Sequence, residues 1–300
     1  MIETGWNIAS AMVNADLTDL DDCVTRLGPC ARSLNAARSA VEMALLDLAA
    51  RARGKSVVQL LGGEARTIEV PRIIPVKSPA RMAELAGDYA GQGYHAQKLK
   101  ATGDIDADVE RVTAVRAAVG AAIALTVDAN QGYDMAGALA FERCLRPLDV
   151  WSIEQPVPAT DRETLAALRR EARVRIEADE GLFTHADLDD VLAREAADSI
   201  SLKLARSGGL LPSRSMALAA TCKGVHARLG TAFGGPLVTL ASATLAGLAE
   251  VSGPAECAEF THFDDMEHEA PQINDGLLQP GEGAGFGQHR IVPWPSPWFD

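Results

Sequence analysis

The sequence predicts an α/β protein built around a parallel barrel, and three observations carry that prediction. After residue 67, strand-like and helix-like runs alternate to near the end of the chain. Each strand-helix unit is about two dozen residues long, the length of one turn of a parallel barrel. No G-x-G-x-x-G follows the first strand-like run, which weighs against the rival arrangement, an open doubly wound sheet.

The strand-like runs are "IEVPRIIPV", "HAQKLKA", "IALTVDAN", "VWSIEQPV", "VRIEADEG", "SISLKLA", "HARLGTAF" and "AECAEFTHF". Each is short, apolar and bounded by turn residues. Between them lie runs whose apolar residues recur at spacings of three and four, such as "DADVERVTAVRAAV" and "TDRETLAALRREA". Several of these begin on a Ser, Thr or Asp suited to cap a helix. Residues 1–66 read differently: "TDLDDCVTRL" and "ARSLNAARSAVEMALLDLAARARGKSVVQLLGG" are helical patterns ending at a Gly-Gly stop. The expected organisation is therefore a small, mostly helical N-terminal piece over 1–66, a barrel over 67–268, and a Gly- and Pro-rich segment over 269–300 that returns to the N-terminal piece.

Composition narrows the function classes. The chain has 300 residues, 47% of them hydrophobic, enough for a large core. Its formal net charge is −13, with no basic cluster, which argues against nucleic acid or an anionic membrane as partner. The five cysteines are scattered without a C-x-x-C, the pattern of reduced thiols in a cytoplasmic protein. Residues 229–249 carry no charge, but "GGP" interrupts the stretch, so a strand, a turn and a buried helix account for it better than a membrane span.

The ends of the strand-like runs carry the chemistry. In a parallel barrel, side chains at the C-terminal ends of the strands share one cavity. Taken in order, they are Lys98 and Lys100, Asp128, Glu154, Asp179 and Lys203. From Lys100 onward the gaps are 28, 26, 25 and 24 residues, each about one strand-helix unit. Three carboxylates on adjacent strands repel one another unless a cation lies between them. Hard oxygen ligands favour Mg²⁺, with Mn²⁺ also suitable. The lysines flank the carboxylates. A second ammonium and a dication nearby disfavour a protonated Lys100, so it is suited to act as a general base. A metal on a substrate carboxylate would stabilise an enediolate once the α-proton leaves.

These motifs in this order resemble the muconate lactonizing enzyme subgroup of the enolase superfamily, over about residues 31–291. "AVEMALLDLAARARGKSVVQLLGG" resembles the end of that family's capping domain, "VDANQGY", "IEQPVP", "ADEGLF" and "LKLARSGGL" its successive strand ends, and "INDGLLQPGEGAGFG" its closing segment. The resemblance implies a modified TIM barrel, (β/α)₇β, with a partial N-terminal capping domain. It implies Mg²⁺ on Asp128, Glu154 and Asp179, and Lys100 and Lys203 as the two acid/base residues. Lys98 would hold the substrate carboxylate and tune Lys100, while Asn130 and Glu180 match supporting positions. Thr231, Ala232 and Phe233 in "GTAFGG", with Glu259 in the last strand-like run, are the implied substrate contacts. "IETGWNIASA" resembles the last strand of a β-meander that opens the family's larger cap.

The expected activity is Mg²⁺-dependent racemisation or epimerisation of an amino-acid-like or N-substituted amino acid, with proline-betaine-type acids included. The alternatives are cycloisomerisation or dehydration on the same site, or a truncated, non-catalytic metal-binding barrel. The expected partner is a small-molecule carboxylate, and association into a homo-oligomer is expected from apolar surface left by a short cap.

Overall fold

The computed structural model describes residues 2–16, 19–231, 234–262, 271–279, 281 and 283–287. Its centre is a curled, seven-stranded parallel sheet in which each strand pairs with the next in sequence. Two short strands begin the series, β1 (Ile68–Glu69) and β2 (Arg72–Ile74). The strands that follow are β3 (Ala96–Lys100), β4 (Ala124–Asp128), β5 (Val150–Glu154), β6 (Arg175–Ala178), β7 (Ser199–Leu202) and β8 (His226–Leu229). The parallel sheet runs from β2 to β8.

Helices return the chain outside the sheet: α5 (Pro79–Gly91), α6 (Ile105–Val119), α7 (Met135–Leu145), α8 (Arg162–Glu171), α9 (His185–Ala193), α10 (Leu204–Ser207), α11 (Leu210–Thr221) and α12 (Pro236–Ala246). Their starts are set locally. Asp104, Asp134 and Asp161 each accept a backbone N–H three residues on, and Thr184 forms a capping box with Asp187. Pro79 and Pro236 open their helices, where the missing N–H has no helical partner to lose. The sheet is held from behind by Ile74, Leu99, Leu125, Ile153, Ile176, Ile200 and Leu229 against buried residues such as Met82, Phe141 and Leu168. Each such side chain stabilises the fold by about 1.5–3 kcal/mol on burial.

Before the barrel lie α1 (Ile2–Ala11), α2 (Leu20–Arg26), α3 (Asn35–Ala52) and α4 (Val57–Leu60). Residues 2–11 form a helix, not the strand that their resemblance implies. No strand lies beside them among the described residues, so the segment satisfies its backbone internally.

The strand-like ends of the barrel also depart from expectation. The run 68–76 divides: β1 joins β10 (Leu277–Leu278) and β9 (Ile273–Asn274) in a small antiparallel sheet, and only β2 enters the barrel. The run 255–263 forms no strand among its described residues, and its latter part is a 3₁₀ turn over Glu259–His262. It still closes the curl. Ser252 and Glu256 donate their N–H groups to Ala227 and Leu229, and Ala255 donates to Glu69. Pro254 has no N–H to give a regular ladder there. The described tail lies against α3, where Phe286 N–H donates to Asp47 and Arg51 donates to the Gly287 carbonyl. Among the described residues no helix is long and apolar enough to cross a membrane.

Candidate active site

Parallel register brings the charged strand ends together. Lys100 lies opposite Asp128, and Asp128 opposite Glu154. Along β3, Leu99 turns out into the apolar layer while Lys98 and Lys100 turn in, as the two-residue period of a strand requires.

Lys100 Nζ donates to Asp128 Oδ2 at 2.6 Å and to Asn130 Oδ1 at 3.0 Å. Asn130 Nδ2 donates onward to Glu180 Oε1 at 3.0 Å, so the expected supporting pair forms a chain behind Lys100. On the far side of the carboxylate strands, Lys203 Nζ donates to Asp179 Oδ2 at 2.5 Å. The Lys100 side chain is 31% exposed, while that of Lys203 is 9% exposed; Lys100 ends β3 and Lys203 directly follows β7, so both stand at the C-terminal ends of their strands. Asn130, Gln131 and Gln155 hold positive φ angles of 43°, 67° and 38° in the turns that leave β4 and β5. Backbone held in this region is strained and is found where a site needs its geometry fixed. Gln155 uses its turn to accept the Asp179 N–H at 2.9 Å.

Lys98 is placed differently from the expected substrate contact. Its side chain is 2% exposed, and its ammonium lies 2.9 Å from Glu154, 2.6 Å from Glu256 and 3.3 Å from Asp128. Two of its N–H groups donate to Glu154 and Glu256, and Asp128 adds a third carboxylate at ion-pair distance. Burial alone would push the Lys98 pKa down, but Glu154, Glu256 and Asp128 hold it well above the ordinary lysine value. Lys98 is therefore a fixed positive charge beneath the site.

The other expected contacts scatter. Thr231 donates its N–H to Glu256 Oε2 at 3.0 Å. Glu259 is buried in the 3₁₀ turn with its carboxylate 3.5 Å from His262. Ala232 and Phe233 lie outside the described residues. Two site residues escape the sequence reading. Arg206, one helical turn after Lys203, donates to Asp179 Oδ1 at 2.6 Å and to the Asp179 carbonyl at 2.8 Å. Glu256, in the irregular run "AECAEF", reaches Lys98 at 2.6 Å. The spacing of Arg206 from Lys203 was a usable signal for the first.

The electrostatics favour a cation. Among the described residues no three His, Cys, Asp or Glu side chains are gathered closely enough to hold a metal ion as they stand. Instead Lys98, Lys100, Lys203 and Arg206 meet the acids. They do not satisfy them all: Glu154 Oε1 is buried without any hydrogen-bond partner. Burial and the Glu154 charge push the Asp179 carboxyl up to about 7, against the pull of Lys203 and Arg206. An orphaned carboxylate oxygen between two more carboxylate strands fits a hard divalent cation.

Comparisons with known proteins show what the chain is similar to. Residues 3–62 match the mandelate racemase / muconate lactonizing enzyme N-terminal domain, and residues 81–289 match the enolase C-terminal domain-like family. An L-Lys-D/L-Arg epimerase of Methylococcus capsulatus is 30% identical over 293 residues, 94% of this chain and 79% of its own. An N-succinyl-L-Arg/Lys racemase of Bacillus cereus is 33% identical over 197 residues, 65% of this chain and 53% of its own. This chain thus spans about half of the Bacillus cereus relative. The solved structure of a substrate-liganded L-Ala-D/L-Glu epimerase from Bacillus subtilis superposes with a TM-score of 0.86 at 27% identity, covering 93% of this chain and 81% of that one.

Proposed function

The chain belongs to the mandelate racemase / muconate lactonizing enzyme family, and on that premise we propose that it removes the proton α to a carboxylate and returns it on the opposite face, racemising or epimerising an amino-acid-like or N-substituted amino acid. The observation that carries this reading is the pair Lys100 and Lys203, each anchored on an acid at the C-terminal end of its strand, on either side of the carboxylate strands. The activities of the Methylococcus and Bacillus cereus relatives, an L-Lys-D/L-Arg epimerase and an N-succinyl-L-Arg/Lys racemase, support the substrate class.

Asp128, Glu154 and Asp179 would hold Mg²⁺, for which Mn²⁺ could substitute. When bound, the metal supplies positive charge against the substrate carboxylate as the α-carbon gains electron density. The chain's own residues do the rest. A neutral Lys100 amine takes the proton from one face of the α-carbon and becomes an ammonium. A Lys203 ammonium gives its proton to the other face and becomes neutral. The reverse reaction exchanges the two roles, and solvent resets them. Asn130 and Glu180 orient Lys100, Arg206 holds Asp179 beside Lys203, and Lys98 offsets the buried negative charge of Glu154 and Glu256.

Incubation with Mg²⁺ and a panel of N-succinyl amino acids and dipeptides in D₂O tests the proposal. The α-hydrogen of at least one member should exchange from both enantiomers. Lys203→Ala should abolish exchange from one enantiomer and Lys100→Ala from the other. A panel in which nothing exchanges overturns the proposal. If Lys203→Ala spares exchange from both enantiomers, a one-base cycloisomerisation or dehydration is favoured instead.

A further inference from the structure

One face of α3 is both polar and fully buried. Asn35, Arg38 and Glu42 sit at positions i, i+3 and i+7, side by side along the helix, and none is more than 3% exposed. Helix faces packed on a barrel are ordinarily apolar, and a buried polar group persists only where it finds partners. Here the partners are main-chain atoms of the two loops that carry Asp179 and Lys203.

Asn35 Nδ2 donates to the Phe183 carbonyl at 2.8 Å and to the Arg206 carbonyl at 2.6 Å, while its Oδ1 accepts the Ala31 N–H at 2.7 Å. One carboxamide thus clamps the loop after β6 to the loop after β7. Arg38 donates to the Gly208 carbonyl at 2.5 Å and to the Gly28 carbonyl at 3.0 Å, and lies 3.3 Å from Glu42. Glu42 accepts the Leu210 N–H, placing a carboxyl oxygen at the start of α11. A Cβ on Gly209 would overlap Glu42, so the Gly-Gly pair is what lets the cap helix approach. The Arg206 side chain completes the connection by holding Asp179.

The Lys100 side is anchored by other means. Asp108 of α6 accepts the N–H groups of Thr102 and Gly103 and the Tyr133 hydroxyl. We propose that Asn35, flanked by Arg38 and Glu42, is a positioning residue for the Lys203 half of the site alone, so that the cap helix sets where one of the two bases stands. The catalytic part of this inference rests on the racemase or epimerase reading above.

The test compares Asn35→Ala with Leu45→Ala, a change on the same helix whose side chain packs with Cys23 and Leu27, away from these loops. Exchange from both enantiomers of N-succinylarginine is followed with Mg²⁺ in D₂O, and Lys203→Ala identifies the enantiomer that Lys203 serves. Asn35→Ala should slow that enantiomer by about tenfold to a hundredfold, the cost of misplacing a reacting group by a fraction of an ångström to an ångström, and the other by less than about threefold. Leu45→Ala should slow both alike. Equal slowing of both enantiomers in Asn35→Ala, or none, overturns the proposal. If the wild-type chain exchanges neither enantiomer, the functional reading fails, and acetic anhydride labelling of the metal-free protein decides the inference. Asn35→Ala should then raise Lys203 acetylation, read by peptide mass spectrometry, about fivefold or more relative to Lys100. An unchanged ratio overturns it. Should Asn35→Ala not fold, Asn35→Ser carries both measurements.

Discussion

At the scale of single residues, Lys98 and Glu154 show how this interior holds charge. Lys98 is enclosed by three carboxylates, and still one oxygen of Glu154 has no partner. A metal taking that oxygen as ligand gives a direct prediction. Glu154→Gln should weaken Mg²⁺ binding, measured by calorimetry, by more than about tenfold, since changes even to residues behind metal ligands cost that much. Glu42 gives a pH prediction away from the site. Burial pushes its carboxyl up to about 7 in spite of Arg38 and the Leu210 N–H. The folded protein therefore binds a proton that the unfolded chain releases from about pH 4.5 upward. The stability this provides is complete below about 4.5 and is lost as pH rises through about 7, by roughly 3 kcal/mol at most. Urea unfolding of Glu42→Gln should show a flatter pH dependence over that window; an unchanged slope would contradict the assignment.

At the scale of elements, the turns after β7 and β8 are fitted around particular side chains. Gly209 has φ +130°, and a Cβ there would meet Glu42. Gly209→Ala should lower stability in urea by about 2 kcal/mol or more, from backbone strain and displaced packing together, with the denaturant slope unchanged. Gly230 does the same for the base. A Cβ on it would lie 2.3 Å from Ser201 Oγ and 2.8 Å from Lys203 Cε. Gly230→Ala should therefore slow α-hydrogen exchange for the enantiomer served by Lys203 far more than for its mirror image, as read by mass spectrometry in D₂O. Elements were legible where local pattern and tertiary role agree: β3 to β8 and the capped helices α6 to α9 fall where periodicity and cap residues place them. They were illegible where pairing partners decide. Residues 2–11 are helical, with no neighbouring strand among the described residues, and the segment through Pro254 and Glu256 closes the barrel through isolated hydrogen bonds. A strand is defined by its neighbour, and a single sequence carries no statement of neighbours.

For the whole molecule, a metal that binds only the folded chain must stabilise it. Thermal unfolding should shift upward with Mg²⁺ concentration, by about 2.7 kcal/mol at a hundredfold excess over the dissociation constant. The shift should vanish in Glu154→Gln. A wild-type midpoint indifferent to Mg²⁺ would remove the metal from the site. The sequence by itself determined the parallel α/β architecture and put Lys100, Asp128, Glu154, Asp179 and Lys203 at the ends of successive strands, because a regular strand-helix unit length recurs between them. Only the tertiary structure decided that Lys98 is enclosed, that Glu256 joins the site, and that Asn35 reaches both loops from the cap. The enclosure of Lys98 by Glu256 and the reach of Asn35 to Arg206 depend on contacts between segments some 150 residues or more apart, which no local spacing encodes, whereas Arg206 follows Lys203 by one helical turn and was within reach of the sequence.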